Sequence, residues 1–292
     1  MAWRARYLRT ISRYRNENVP IVFLDETWIH PNYKVKKCWQ SEDVRGVLSN
    51  NSSGQRLIIS HAGGSMGFIH NALNIFQAKT TTGDYHNEMN STNFEKWVQE
   101  KLIPNLPPQC VVVMDNAPYH SVQTNKPPNS NYRKQEIQEW LQQNNIHFEV
   151  AMTKSELLEI VKANRPAPDY RVDSLLKQHG HRILRLPPYH CDLNPIEYIW
   201  SIVKRRVALK NVSSNVKEIW NKTVCAVNSI TVQEWENECK HVIGLENKYR
   251  TSDGLLENEV ERLEINLDSD SSSSAEDSDE DSVSDISGVF PL

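Results

Sequence analysis

Two stretches of the chain are apolar without a break, Ile21-Val22-Phe23-Leu24 and Cys110-Val111-Val112-Val113-Met114. Short runs with no polar alternation predict strands covered on both faces, as in the parallel part of an α/β sheet. Each run ends on a carboxylate, Asp25 in the first case and Asp115 in the second. Two further strands are predicted over 56–61 and 68–78, joined by a glycine-rich connection that signals a hairpin. No Gly-Lys-Ser/Thr follows those glycines, so the connection is not read as a phosphate loop.

Helical spacing accounts for most of what remains. Residues 3–15 place Trp3, Tyr7, Ile11 and Tyr14 on one side and arginines on the rest. This is the pattern of an amphipathic helix that either packs on the domain or contacts phosphates. Phe94, Trp97, Val98 and Leu102 mark the buried face of a helix capped by Ser91 or Thr92 and ending before Pro104. Helices follow near 132–143, 154–163 and 170–179, then a short strand over 181–186 and a stiff Pro187-Pro188 turn. The next helix begins at Asn194-Pro195-Ile196-Glu197, with Asn194 as N-cap, Pro195 at the first position and Glu197 at the third. Its core face is Ile196, Ile199, Trp200, Val203 and Val207. Glu197 thus has two readings, a capping-box acid or a metal-binding carboxylate held on a rigid mount. Helices dominate to about residue 249, and the acidic stretch over 253–292 is expected to be disordered.

Charge divides the chain unevenly. Residues 253–292 carry thirteen Asp/Glu and one Arg, a balance of −12, within an overall charge of −4. The preceding 252 residues hold 32 Lys/Arg against 24 Asp/Glu, a balance of +8 that permits a polyanionic partner. No apolar run is long enough for a membrane span, and the arginine-rich start lacks the apolar core of a secretory signal. The five scattered cysteines contain no C-x-x-C pair, which favours a reducing compartment over a disulfide framework.

Asp25, Asp115 and Glu197 stand at positions where an α/β sheet presents ligand-binding residues. Three acids converging there would repel one another unless cations lay between them. Hard divalent ions with oxygen ligands suit such a set, and two of them can activate an attacking oxygen and stabilise a leaving one.

Three blocks carry a family resemblance: Leu24-Asp25-Glu26-Thr27-Trp28, Met114-Asp115-Asn116-Ala117-Pro118-Tyr119-His120, and Leu186-Pro187-Pro188-Tyr189 continuing through Asp192-Leu193-Asn194-Pro195-Ile196-Glu197-Tyr198-Ile199-Trp200. Together they resemble the catalytic domain of mariner-like DDE transposases, within the DDE superfamily endonucleases, over roughly residues 18–210. The resemblance implies a ribonuclease-H-like α/β fold, a mixed sheet flanked by helices; in this chain a helical insertion at 121–168 is expected before the last catalytic helix. It implies that Asp25, Asp115 and Glu197 hold two Mg²⁺ (or Mn²⁺) ions for DNA strand cleavage and strand transfer. DNA is the implied partner, a homodimer the implied state on DNA ends, and the nucleus the implied location. His120 matches the same block and is a candidate to line the site, with capping of the following loop as its alternative. Glu26 is expected to face the opposite way and to be structural, and Trp28 and Trp200 to belong to the core.

The spacing departs from the family at one place. Between Asp115 and Glu197 lie 81 residues, against the few tens usual in mariner relatives. The excess falls in 121–168, whose helix–extended loop–helix pattern is similar to small SAP-type DNA-binding modules, or else is a hairpin that only packs on the core. It also supplies a rival third acid, Glu156, which lacks the Pro-Pro turn and the Asn-Pro-Ile-Glu helix start, so Glu197 is preferred. The first strand begins about 20 residues from Met1, too near for the helix-turn-helix modules of mariner-like enzymes. The expectation is a piece of a longer reading frame or a host-retained descendant. A catalytically silent DNA- or chromatin-binding descendant is the alternative function. A zinc site from His179, His181, His190 and Cys191 is the weakest reading, because the spacing fits no four-ligand pattern.

Overall fold

The computed structural model describes residues 2–30, 56–78, 89–211 and 216–270. Cys38 and the tail from 271 lie outside the described residues. By compactness the chain divides into one unit up to Asn247 and a second from Lys248.

The sheet has six strands: β1 (Ile21–Ile29), β2 (Leu57–Gly64), β3 (Gly67–Phe68), β4 (Asn74–Gln77), β5 (Val111–Met114) and β6 (Arg182–Arg185). The order is β3-β2-β1-β5-β6, with β4 pairing the other end of β2. β1 runs antiparallel to β2 and parallel to β5, and β5 runs parallel to β6. This is the mixed, helix-flanked sheet of a ribonuclease-H-like fold. The two unbroken apolar runs are its central parallel strands, with Val22, Leu24, Val112 and Met114 all buried. Covering both faces is what removes the usual polar alternation.

The helices are α1 (Ala2–Asn16), α2 (Ser91–Trp97), α3 (Lys134–Gln143), α4 (Lys154–Ala163), α5 (Arg171–Gln178), α6 (Pro195–Lys210), α7 (Val216–Asn228) and α8 (Val232–Asp270). One face of the sheet packs Leu24, Ile58 and Met114 against Phe94, Trp97, Val172 and Leu176 of α2 and α5. The other packs Ile29, Leu57 and Ile59 against Ile199, Trp200 and Val203 of α6, with Ile219 and Trp235 behind. A third, separate cluster of Ile137, Trp140, Leu141, Leu157 and Val161 joins α3 to α4.

Several sequence expectations change at this level. β1 does not end at Asp25 but continues to Ile29, because β2 supplies a ladder partner as far as Ile29↔Leu57. The parallel pairing with β5 does stop early, at Phe23↔Val113, so Asp25 lies just past the parallel segment. The strand expected over 68–78 is interrupted by a turn with Asn71 at φ 58°, leaving β3 and β4 as separate pieces. Asparagine tolerates that left-handed conformation better than most residues. The cap of α2 is Asn90, whose side chain accepts from the Asn93 N–H at 2.8 Å, and the helix widens into a π turn over Val98–Leu102. Trp3 does not join Tyr7, Ile11 and Tyr14 in the core of α1; it is 63% exposed. Over 253–270 the backbone continues α8. That segment is rich in Leu and Glu, which are good helix formers.

Two glycines at the end of β2 mark close approaches. A Cβ at Gly64 would stand 2.3 Å from the Ile21 carbonyl oxygen, a backbone atom of the neighbouring strand. Gly64→Ala is therefore expected to lower unfolding free energy by about 1–3 kcal/mol, since the strand itself must move. Urea denaturation checks this, and an unchanged midpoint would mean that β1 and β2 are not held at this separation.

Candidate active site

Asp25 is reached through strand alternation. Residues 24 and 26 point toward α2 and α5, and residue 25 points toward α6. There the Trp200 indole N–H donates to Asp25 Oδ2 at 3.1 Å, so this core tryptophan also orients the carboxylate. Trp28 is only half-buried, with the Lys204 ammonium 5.6 Å from its ring centroid.

Asp115 follows the last residue of β5 and begins a short turn in which its Oδ1 accepts from the Ala117 N–H at 2.9 Å. Asn116 then donates from its side chain to the Leu186 carbonyl at 2.7 Å, tying the ends of β5 and β6 together. Arg185, which the sequence did not single out, donates to the Asp115 carbonyl at 3.0 Å and the His120 carbonyl at 2.8 Å. It also pairs with Asp173. Its position opposite Met114 in the β5–β6 ladder is what brings it there.

Glu197 opens α6, but the expected capping box is not formed. The Asn194 side chain makes no cap hydrogen bond; its Nδ2 donates at 3.3 Å to the carbonyl of Leu24, the residue before Asp25. The start of α6 is therefore bolted to β1 beside the first acid. The Glu197 carboxylate is left free of capping duty. Glu156 shows the converse. It accepts from the Thr153 N–H at 2.6 Å and hydroxyl at 2.8 Å, a capping box at the start of α4 within the insertion.

The three acids lie close enough to feel one another's charge. Burial, then the charges of Glu197, Glu26 and Asp115, push the Asp25 carboxyl well above the usual carboxylate range. Glu197 stands at the solvent-exposed side of the cluster. The protein mass beside it raises its carboxyl, Lys204 pulls it down and Asp115 pushes it up. Burial would raise Asp115 too, but the hydrogen bond and charge of His120, the Ala117 N–H and Arg185 together hold it low. The cluster is thus graded from buried Asp25 through half-buried Asp115 to exposed Glu197.

His120 is buried between two carboxylates. Nδ1 lies 2.6 Å from Asp115 Oδ1, and Nε2 lies 3.3 Å from Glu26 Oε2, which also accepts from the Tyr119 hydroxyl at 3.0 Å. Burial would lower this imidazole, but the Glu26 charge and the two hydrogen bonds raise it to about 9. Glu26 does face away from Asp25, as the alternation required. It nevertheless holds the cation that holds Asp115. Sequence reasoning missed that link because Glu26 and His120 are 94 positions apart. Lys204 lies seven positions after Glu197 on α6, within the field of Glu197 and Asp25. Burial lowers its ammonium while those two acids raise it.

The insertion does not part the acids. Its ends are pinned together by the Gln123↔Tyr170 bridge and by Thr124 N–H to Asp169 O at 2.9 Å and Arg171 N–H to Val122 O at 2.9 Å. The four groups of the zinc reading are engaged separately. His181 contacts Cys110 Sγ at 3.3 Å, His179 the Leu175 carbonyl at 2.9 Å and His190 an Arg4 nitrogen at 3.3 Å, while Cys191 is exposed.

An all-oxygen donor set of like charges fits hard divalent cations such as Mg²⁺ or Mn²⁺. Among the described residues no group of three or more His, Cys, Asp or Glu side chains is placed to hold a metal ion.

The mixed, helix-flanked sheet is that of a ribonuclease-H-like domain, with Asp25 and Asp115 just past its parallel segments and Glu197 opening α6. The family model described as DDE superfamily endonuclease matches residues 20–219, and the chain belongs to that family. Among solved structures it resembles the Mos1 strand transfer complex (TM-score 0.53, 15% identity, 87% of this chain and 61% of that one). It is similar to the Mos1 mariner paired-end complex with Mn (TM-score 0.53, 14% identity, 87% and 62%). It also matches the Mos1 transposase catalytic domain with Raltegravir and Mg (TM-score 0.50, 13% identity, 86% and 94%). The chain spans about three fifths of the transposase chains in the two complexes. No curated protein sequence matches the chain.

Proposed function

We propose that this chain is a DDE transposase catalytic domain that cleaves DNA strands and joins a freed 3′ end to target DNA. The observation that carries the reading is Asp25, a buried carboxyl that accepts from the Trp200 indole and lies in the field of three further acids, Glu197, Glu26 and Asp115. Such a placement costs stability unless a divalent cation is held there. Asp25, Asp115 and Glu197 would hold two ions, which when bound supply activation of the attacking oxygen and stabilisation of the leaving one.

The chain's own residues set the stage for that chemistry. Trp200 fixes the Asp25 carboxylate, and the Asn194–Leu24 bond fixes where α6 presents Glu197. His120, clamped by Glu26, keeps Asp115 ionised and in place. Lys204, on the same helix as Glu197, brings a positive charge to where a phosphate would sit. One matching structure is named as a Mos1 transposase paired-end complex with the left transposon end, which supports DNA as the partner here. Action as a homodimer in the nucleus is part of the same reading. No helix among the described residues is long and apolar enough to cross a membrane.

The test is nicking of supercoiled plasmid by the purified chain with Mg²⁺, with and without chelator. Wild type is expected to nick only with metal, and Asp25→Asn to lose on the order of 10³-fold or more. In metal-free buffer the same variant is expected to melt higher than wild type, because it removes a buried charge from a repelling cluster. DNA binding without metal-dependent nicking by wild type would instead support the silent, DNA-binding descendant.

A further inference from the structure

The active site has an aromatic, cationic shelf beside it that the proposed chemistry does not use. Trp3 on α1 is 63% exposed, and Tyr189, in the Pro187–Pro188 turn after β6, is fully exposed. Tyr189 also has φ 64°, a left-handed backbone that an aromatic residue rarely adopts. Nothing in the packing of the described residues calls for either ring to be in solvent. The two segments are neighbours: Arg4 Nη1 lies 3.3 Å from His190 Nε2, and Trp3, Arg6, Tyr7, Leu184, Arg185 and Pro187 line one cavity of about 210 Å³.

Positive charge dominates the α1 side of this surface, while Asp192 pairs with His190 at 3.5 Å on the turn side. Residues 2–16 contain five arginines and no acid. Arg13 and Arg15 pair with Glu17 and Glu246. Arg6 and Arg9 are exposed, one and two helical steps of three from Trp3, and make no ion pair with described residues. The cavity reaches the acid cluster through Arg185, which lines it and donates to the Asp115 carbonyl.

Exposed flat aromatics flanked by unpaired guanidinium groups are the chemistry of single-stranded nucleic acid binding: bases stack on the rings, and phosphates meet the cations. A duplex offers no unstacked base to such rings. Resting on the reading of the acid cluster as a DNA-cleaving site, we propose that α1 and the 187–190 turn form a shelf for unpaired DNA. The strand bound there is the one that continues from the phosphate lying at Asp115. Trp3 and Tyr189 take its bases, and Arg6 and Arg9 take its phosphates.

The test is fluorescence anisotropy in chelator with two probes, a blunt duplex and the same duplex carrying a single-stranded extension. Wild type is expected to bind the extended probe more tightly. The Trp3→Ala/Tyr189→Ala double variant is expected to lose roughly tenfold or more on that probe. Its binding to the blunt duplex should be unchanged, and Trp3→Phe/Tyr189→Phe should retain the preference. Equal binding of both probes by wild type would overturn the shelf, as would an alanine loss shared equally by the blunt duplex. Because both rings are exposed, thermal melts of the variants should match wild type, so a loss cannot be ascribed to unfolding. The readout needs no metal and no turnover. A chain that prefers the extension but never nicks sinks the cleavage reading alone; one that nicks without the preference sinks the shelf alone.

Discussion

Glu197→Ala is expected to reduce Mg²⁺-dependent nicking by on the order of 10³-fold, while Glu156→Ala leaves it nearly unchanged. The two acids competed in the sequence because Glu156 lies nearer the spacing usual after the second acid. The structure separates them by what each carboxylate already does. Glu156 is occupied by the Thr153 N–H and hydroxyl, and that arrangement holds its carboxyl below the usual range. Glu197 has no capping role, shares a field with Asp25 and Asp115, and opens a helix tied to β1. Glu156→Ala should therefore register only as a small loss of α4 stability, visible in urea melts. An inactive Glu156 variant beside an active Glu197 variant would reverse the assignment.

His120→Gln is expected to damage both stability and activity. It removes the cation that links Glu26, which is buried, to Asp115, and breaking one side of a buried ion pair typically costs about 3–5 kcal/mol. The pH signature follows from the direction of the shift. An imidazole raised to about 9 in the fold, against about 6.5 unfolded, contributes stability that is complete below the unfolded value. That contribution is lost as pH rises through the folded value. Wild type should lose roughly 3 kcal/mol between pH 6.5 and 9, and the variant should lack this alkaline slope. Denaturation at several pH values measures it. Equal slopes in the two proteins would mean that His120 is not the charged link between Glu26 and Asp115.

Much of this fold could be read from the chain because its central strands are covered on both faces. In a polar sequence, unbroken apolar runs such as residues 21–24 and 110–114 fit little besides a buried strand. The acids that follow them, and the Pro-Pro turn leading into α6, could be placed for the same reason. What stayed illegible depended on partners distant in sequence. Asn194 looked like a cap because the residue type and position were right, yet its amide is used on Leu24, across 170 positions. Glu26 looked structural because alternation turned it away from Asp25. Only the convergence of β1 with the 115–120 turn shows that it anchors His120. The exposure of Trp3 was hidden by its helical spacing with Tyr7 and Ile11, which fits a buried stripe equally well. Arg185 had no sequence signal beyond its place near the end of a strand.

On the proposed function, Asp25, Asp115 and Glu197 together would hold divalent cations. Iron-directed backbone cleavage tests it most directly: the chain is loaded with Fe²⁺ and exposed to ascorbate and oxygen, and the fragments are mapped. Cuts are expected near residues 25, 115 and 197 together, suppressed by excess Mg²⁺ and absent in Asp25→Asn. Cuts centred on Glu156, or a pattern unchanged in that variant, would contradict it.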